Sequence, residues 1–504
     1  MIKGIAIAVA VVASNLVWAD ALPASAPYTP SWQARHYLEQ LGDDAGLALT
    51  MTHWPLPAAA VESALATLPA DLPSELLLAR EFVRAELVFR QQGRLVAQVR
   101  NGSEAAGGYG QNYTPGSSIG FTSAGAKWSG EGTSAAGQFG AKVEASPNSL
   151  QTQFSGLGKE GGTQVKLDNA AAVLEWGGVN FQAFAHQNWW GAGWQSSLIN
   201  GHNSPPWLGI GLQRSSVQRS DSPWLSWLGP WTLEGFVAKA QDPRVTPNQP
   251  EGYLYTGMRL TFKPVPWAEV GLSRAVQFGG TGRPGDFSSY LKSLLGQQTN
   301  KDPGDTFQDS SNQIAGYDLR LRCPSSRSCA AYFQFMGEDS AGNYPPLPYR
   351  FTTLAGFESW FGQGRYRVFA EFMDTNVPHP FSVPGTEPAY LNTYYPQGYT
   401  NGARWIGSSM GGASKVLTVG YMDAALQRQL KLHAGTVGLG LGAYAPGSDA
   451  PRGDLLAVTA SQAFRWQSYT ITPEIDWLHL SEGSDQRANQ KNQLRLGLAL
   501  SMPL

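Results

Sequence analysis

Gln493-Leu494-Arg495-Leu496-Gly497-Leu498-Ala499-Leu500-Ser501-Met502 alternates without error, with the leucines and Met502 on one side and Gln493, Arg495, Gly497, Ala499 and Ser501 on the other. A period of two is the signature of a β-strand, whose successive side chains point to opposite faces. In a soluble sandwich the leucine face would meet a second sheet. In an exported chain, a leucine face opposite a face of small and polar residues reads as lipid on one side and a lumen on the other.

Export is expected from the other end of the sequence. Lys3 precedes a largely apolar run from Gly4 to Val17, and Val17-Trp18-Ala19 and Ala19-Asp20-Ala21 both offer cleavage positions, so residues 1–21 read as a secretory signal. The run of about 14 residues is short of the roughly 20 that a membrane-spanning helix needs.

Only 15% of the 504 residues are charged, against roughly 25% in ordinary soluble domains, and no later stretch is apolar enough to explain this by helical spans. The 58 glycines, 17 tryptophans and 19 tyrosines suit closely paired strands with aromatic girdles at two membrane interfaces. A net charge of −2 gives no basis for a nucleic-acid partner. Cys323 and Cys329 flank Pro324-Ser325-Ser326-Arg327-Ser328, and in an oxidising compartment a loop-closing disulfide is expected. A metal site is the competing reading, but two thiols with no nearby histidine supply half of a structural zinc site.

Residues 22–92 read as helical. Ser31 can cap a helix with Ala34, Tyr37, Leu38 and Leu41 on one face, a shorter helix runs from about Ala58 to Thr67, and Ser74 can cap a third with Leu78, Phe82, Ala85 and Phe89 on one face. Preceding the first strand, this small helical bundle is expected in the periplasm.

From residue 93 to 504 the pattern changes to short alternating runs separated by Gly, Asn, Asp, Ser and Pro. Leu254, Thr256, Met258, Leu260 and Phe262 share a face, Pro264-Val265-Pro266 turns the chain, and Ala268, Val270 and Leu272 resume it: an antiparallel hairpin. Roughly 410 residues in strands of about 10 with connections of similar length give 16 to 20 strands. Hydrocarbon tolerates no open sheet edge, so closure into a barrel follows, and the last strand should pair with a first strand near Arg94 to Val99. Arg274 falls on the lipid-facing parity and should lie near an interface or be moved inward by a bulge. Two polar stretches, Gly279 to Gln313 and Pro378 to Ser409, read as loops that fold over the lumen.

The densest candidate for binding chemistry is Trp189-Trp190-Gly191-Ala192-Gly193-Trp194, followed by Gln195, Ser196, Ser197, Asn200, His202 and Asn203. Tryptophan faces stack on sugar rings and amides match sugar hydroxyls. The alternative is that these tryptophans belong to an interfacial girdle and the polar residues to a turn.

This stretch, with Trp54-Pro55-Leu56-Pro57, Gly257-Met258-Arg259-Leu260, Pro264-Val265-Pro266-Trp267, Gly271-Leu272-Ser273-Arg274, Gly279-Gly280-Thr281-Gly282-Arg283-Pro284, Asn312-Gln313-Ile314-Ala315-Gly316-Tyr317-Asp318 and Gly337-Glu338-Asp339, resembles the Wzi family of capsule assembly proteins. The resemblance implies an all-β transmembrane barrel of outer-membrane type, of 18 antiparallel strands, with a small N-terminal α-helical bundle. It implies a non-enzymatic, lectin-like protein of the cell outer membrane, without a cofactor, that retains capsular or other exopolysaccharide. Its further expected partners are outer-membrane lipid and, during biogenesis, the barrel assembly machinery. The resemblance fixes no ligand-contact motif. On physical grounds Trp189, Trp190, Trp194, Asn200, Asn203 and Arg283 are the candidate polysaccharide contacts.

Two rivals need weighing. Gly116-Ser117-Ser118-Ile119-Gly120 and Gly407-Ser408-Ser409-Met410-Gly411 match a G-x-S-x-G nucleophile pattern, yet neither follows a buried apolar strand and opens a helix, as a hydrolase requires. A diffusion porin would show the same alternation with charged residues facing an open channel. The long loops and abundant Trp and Tyr point instead to a filled lumen.

Overall fold

The computed structural model describes residues 21–100, 117–146, 162–241, 250–296, 311–324, 328–340, 348–378, 386–392, 394–402, 404–438, 452–481 and 491–504. The expected signal, residues 1–20 of it, lies outside the described residues.

The closing strand Lys491–Pro503 pairs on one side with Tyr469–Ser481 and on the other with Arg94–Arg100, matching Leu498 to Val99 and Leu500 to Ala97. A 22-segment antiparallel sheet runs between these partners, and four of its staves are each interrupted once, at Ser123–Gly125, Phe139, Asp168–Asn169 and Ala463. Merging those four pairs leaves eighteen staves, each paired on both sides, so the sheet is a closed ring. Alternation sets the faces as expected. Leu494, Leu496 and Leu498 are about half exposed to the outside, whereas Arg495 turns inward to pair with Asp476 at 3.5 Å.

The two ends of the ring differ. At one end most connections are tight, such as Trp176 to Val179, Val265 to Ala268 and Phe361 to Tyr366, with residues 215–230 as the long exception. Among the described residues of these connections, Cys323 and Cys329 are joined by an S–S bond of 2.00 Å. Trp128, Trp176, Trp227, Trp267 and Trp466 ring this end with exposures between 56% and 64%, a girdle in the place where amphipathic rings are favoured. The other end carries the long connections.

The N-terminal segment forms helices α1 (Trp32–Asp44), α2 (Ala58–Ala66) and α3 (Ser74–Gln91), the last ending just before the first stave at Arg94. Ser31 caps α1 by accepting from the Ala34 amide at 3.1 Å, and Ala34, Tyr37, Leu38 and Leu41 are buried. The expected face of α3 is wrong. Leu76, Ala79, Val83 and Leu87 are the buried positions and Leu78 is 59% exposed, because α3 carries two apolar stripes and the 3-4-4 spaced one packs against its neighbours. The cap is also displaced: Ser74 is the first helical residue, behind Pro73.

Eleven residues of α1 are buried, polar ones included, because the helix sits inside the ring rather than beneath it. Arg320 on the wall donates to Asp43, Arg367 donates to Glu39 at 2.7 Å, and Glu269 accepts from the amides of Met51 and Thr52 at 2.8 Å. Arg259 donates to Asp318 and to the Thr52 carbonyl at 2.9 Å, and His53 meets Glu234 at 2.7 Å. These inward-facing charges would line the channel of a porin. Here they hold a plug.

Candidate functional site

From the long-connection end, two segments fold into the lumen and meet that plug. The segment 187–206 leaves stave Val179–His186 and at once makes a two-residue pairing, Trp189 with Trp54 and Trp190 with His53. Gly191, at φ 146°, lets the chain turn there; a Cβ would stand about 3.0 Å from the Gln334 carboxamide. The Arg35 guanidinium of α1 then lies 4.2 Å from the Trp194 ring centroid and 5.8 Å from that of Trp189, while donating to the carbonyls of Ala192 and Gly193. A cation between two ring faces, with its N–H groups on carbonyls, fixes the loop against the helix.

The next residues are held by one carboxylate. Glu371 accepts from the amides of Trp194 at 2.8 Å and Ser196 at 2.9 Å and from the Tyr332 hydroxyl at 3.1 Å. Asn200 accepts from the Tyr255 hydroxyl at 3.1 Å. Asn203 donates to the Trp405 carbonyl at 3.0 Å and accepts from Arg404 at 3.0 Å, which ties this loop to the second inward segment.

That second segment spans 375–414 between staves, with residues 379–385, 393 and 403 outside the described residues. Its tyrosines form a ladder. Tyr390 stacks on Tyr399 with ring centroids 5.8 Å apart and donates to the Leu198 carbonyl at 2.8 Å, and Tyr399 donates to the Ile199 carbonyl at 3.0 Å. Burial raises the Tyr390 and Tyr399 hydroxyls well above their ordinary values, so both stay protonated donors. His202 is pushed down to about 4 by burial, with the Arg35 and His186 charges adding to the effect, and is neutral at physiological pH.

The sequence-nominated residues therefore part company. Trp189, Trp190, Trp194, Asn200 and Asn203 are at most 5% exposed and serve the packing between loop and plug, so they form neither an interfacial girdle nor an open ring face. Arg283 stands elsewhere, half-buried at the rim. Its guanidinium lies 5.1 Å from the Tyr394 ring centroid and donates to the Tyr394 carbonyl at 2.5 Å, while Tyr395 donates to the Gly279 carbonyl at 3.2 Å. Half-buried Leu391 and Asn392 precede Tyr394 in the chain, and Asn392 accepts from the Tyr394 amide at 2.8 Å. Sequence reasoning passed over Tyr390, Tyr394, Tyr395 and Tyr399. The signal was present in Tyr390-Leu391-Asn392-Thr393-Tyr394-Tyr395-Pro396-Gln397-Gly398-Tyr399, a denser aromatic-amide stretch than most of the barrel.

The opposite part of the lumen, beside the first and last staves, holds a half-open cavity of about 990 Å³ between α3 and the wall. Trp32, Phe82, Glu86, Arg90, Lys142 and His202 are among its walls, which explains the second apolar stripe of α3. Of the two Ser motifs, Ser118 begins a stave and Ser409 is 2% exposed within the inward segment. Neither opens a helix. Among the described residues no three His, Cys, Asp or Glu converge as metal ligands. The chemistry on offer is hydrogen bonding and ring stacking at the rim.

Comparison with known proteins places this architecture. The outer-membrane protein Wzi of Escherichia coli, involved in group 1 capsule assembly and a carbohydrate-binding β-barrel, superposes with a TM-score of 0.74 at 20% identity. The match covers 95% of this chain and 100% of that one, so the two share a fold. A BenF-like porin from Pseudomonas fluorescens Pf-5 overlaps with a TM-score of 0.42 at 11% identity, over 82% of this chain and 98% of that one. An uncharacterized 55.8 kDa protein of the cps region of Klebsiella pneumoniae is 30% identical over 194 residues, 38% of this chain and 36% of that protein. The chain thus matches about a third of the length of that curated relative. The family model for capsule assembly protein Wzi matches residues 90–435, more than half of the sequence, from the end of α3 through the plugged staves and both inward segments. The chain belongs to the Wzi family of capsule assembly proteins.

Proposed function

We propose that this barrel holds capsular or related exopolysaccharide at the outer face of the outer membrane, by binding rather than by catalysis, with its helical bundle on the periplasmic side. The observation that carries the reading is the fate of the inward charges: Glu234, Arg259, Glu269, Arg320, Glu358, Arg367 and Glu371 are each at most 5% exposed and engage the plug or each other. A barrel whose ionic wall is consumed in this way is built as a platform rather than as a diffusion pore. The short turns beside the bundle resemble the periplasmic turns of outer-membrane barrels, which supports an outward position for the long inward segments and the rim. Carbohydrate binding by the E. coli protein of the same fold supports the ligand class.

The rim supplies groups suited to sugar. Arg283 backed by Tyr394, with Asn392 alongside, offers a planar donor, a ring and an amide within one half-exposed surface. We assign polysaccharide contact to this group, with Trp189, Trp190, Trp194, Asn200 and Asn203 shaping the loops that carry it. A disruption strain should still make and secrete polymer but release it into the medium, and plasmid-borne wild-type protein should restore retention. Loss of polymer altogether would assign the protein to synthesis or export instead.

A further inference from the structure

Three polar residues sit where lipid should be. Thr256, Arg274 and Gln313 lie on neighbouring staves at the outward parity, alongside Leu254, Leu272 and Tyr317, which are each about 40% exposed to the outside. The register is regular across them, with Thr256 opposite Val276 opposite Gln313 and Met258 opposite Arg274 opposite Ala315, so no bulge moves Arg274 inward, and of the two expected placements the one near an interface is left. A guanidinium facing hydrocarbon is expensive unless something covers it.

A helix covers it. The stretch expected to be loop contains α4 (Phe287–Leu294), capped by Asp286, whose carboxylate accepts from the Ser289 amide at 2.9 Å. The inner face of α4 gives partners to the polar row. Arg274 donates to the Ser293 carbonyl at 3.0 Å and to the Gln313 side chain, and the hydroxyls of Tyr290 and Thr256 are 2.8 Å apart. The Tyr290 ring packs edge-on against Phe278 with centroids 5.4 Å apart, and Val276, Phe278 and Ser293 are left at most 1% exposed.

The outer face of α4 is apolar as well. Phe287, Leu291 and Leu295, spaced by four, share one face and are 75%, 38% and 46% exposed. A helix with one face docked on the outside of a barrel, at the end bearing the long connections, continues the band of outward leucines below it. We propose that α4 lies in the outer-leaflet interface of the membrane, with Phe287, Leu291 and Leu295 seated among lipid acyl chains and the polar row sealed beneath them. The inference rests on the barrel fold and not on the polysaccharide reading.

Nitroxide labels test it, since both native cysteines are bonded to each other. Phe287→Cys and Leu291→Cys would be labelled in the full-length barrel reconstituted into E. coli polar-lipid vesicles. Collision with oxygen and with a water-soluble nickel chelate would be compared with Leu272→Cys on the lipid band and Leu78→Cys on α3. The expected result is an oxygen-to-nickel ratio for both α4 sites that matches Leu272 and exceeds Leu78 several-fold. Ratios at the Leu78 level overturn the proposal. Leu295→Cys, just past the last turn of α4, gives the same reading if a label within the helix disturbs it.

Discussion

Arg320 on the barrel wall grips Asp43 of helix α1 through two parallel hydrogen bonds, Nη1 to Oδ1 at 3.0 Å and Nη2 to Oδ2 at 2.7 Å. The two residues are 277 positions apart in sequence, and the pair is 5% and 1% exposed. The same guanidinium reaches Glu358 at 2.8 Å, and Glu358 in turn accepts from Arg367 and from the Trp194 indole. Wall, helix and inward loop therefore share one ionic network, and the loop depends on the helix for its shape.

Removing Asp43 takes two hydrogen bonds from Arg320 but leaves it Glu358 at 2.8 Å, so the cost should fall below the roughly 3–5 kcal/mol of a buried charge left with no partner. Asp43→Ala should accordingly loosen the plug without unfolding the staves, whose ladders are independent of it. In planar bilayers the native barrel is expected to be electrically quiet and the variant to show intermittent openings. Heat-modifiable gel migration would confirm that the variant barrel is formed. A folded Asp43→Ala barrel as quiet as the native one would mean that other contacts hold the bundle.

Glu371 invites a local test. It is the acceptor for three loop amides, those of Trp194, Gln195 and Ser196, and for the Tyr332 hydroxyl, and each buried donor left unpaired costs about 1–3 kcal/mol. Glu371→Ala should free the segment 187–206 to proteolysis from the outer side while the β-sheet circular dichroism signal is unchanged. An unaltered cleavage pattern would remove Glu371 from its anchoring role.

Rim and interior separate in a binding assay. Arg283→Ala and Tyr394→Ala each remove one side of a half-buried cation–π pair at the rim, worth about 0.5–1 kcal/mol. A contact of that size at the ligand itself corresponds to roughly a two- to fivefold weaker Kd for purified polymer, with thermal stability little changed. Trp194→Ala removes a buried ring, for which about 3–5 kcal/mol of destabilisation is typical, so its binding defect should be accompanied by a lower melting temperature. Equal binding by native protein and both rim variants would move the sugar contact elsewhere.

The legibility of these features in sequence follows from how local each one is. Leu494 through Met502 could be read as lipid-facing because alternation is a property of neighbours, and Arg94 to Val99 could be named as its partner because a barrel must close. Glu269 and Arg320 could not be told from channel-lining charges. An inward carboxylate looks the same whether it meets water or the amides of Met51 and Thr52, more than 200 residues away. Trp194 posed a choice between girdle and sugar platform, and its place against Arg35 and Arg367 was neither. Phe82 and Phe89 misled the reading of α3 because helical spacing reports an apolar face without saying whether a helix or a cavity lies opposite.

The plug should also respond to acid, and the sign follows from His36. Its Nδ1 accepts from Arg367 at 2.8 Å and its Nε2 faces the Gly364 carbonyl at 2.6 Å, which defines the neutral Nε2–H tautomer. Burial first, and the Arg367 charge second, hold it at about 3, against 6.5 for an exposed histidine; the Gly364 hydrogen bond and Glu358 oppose them without restoring it. His202 lies at about 4 for the same leading reason. In the undocked or unfolded chain both rings take up a proton below about 6.5, whereas in the folded plug they resist it, so the unfolded state binds more protons and stability falls as pH falls. The loss should begin near pH 6.5 and deepen until the folded values are reached; burial raises the Glu39 carboxyl, whose protonation in the folded plug acts in the opposite direction, so the histidine share is read from the difference between the native barrel and His202→Asn. Urea midpoints followed by heat-modifiable migration should decline below pH 6.5 in the native barrel and decline less in His202→Asn. Midpoints of the two proteins that run parallel from pH 7 to 5 would show that His202 is not coupled to folding.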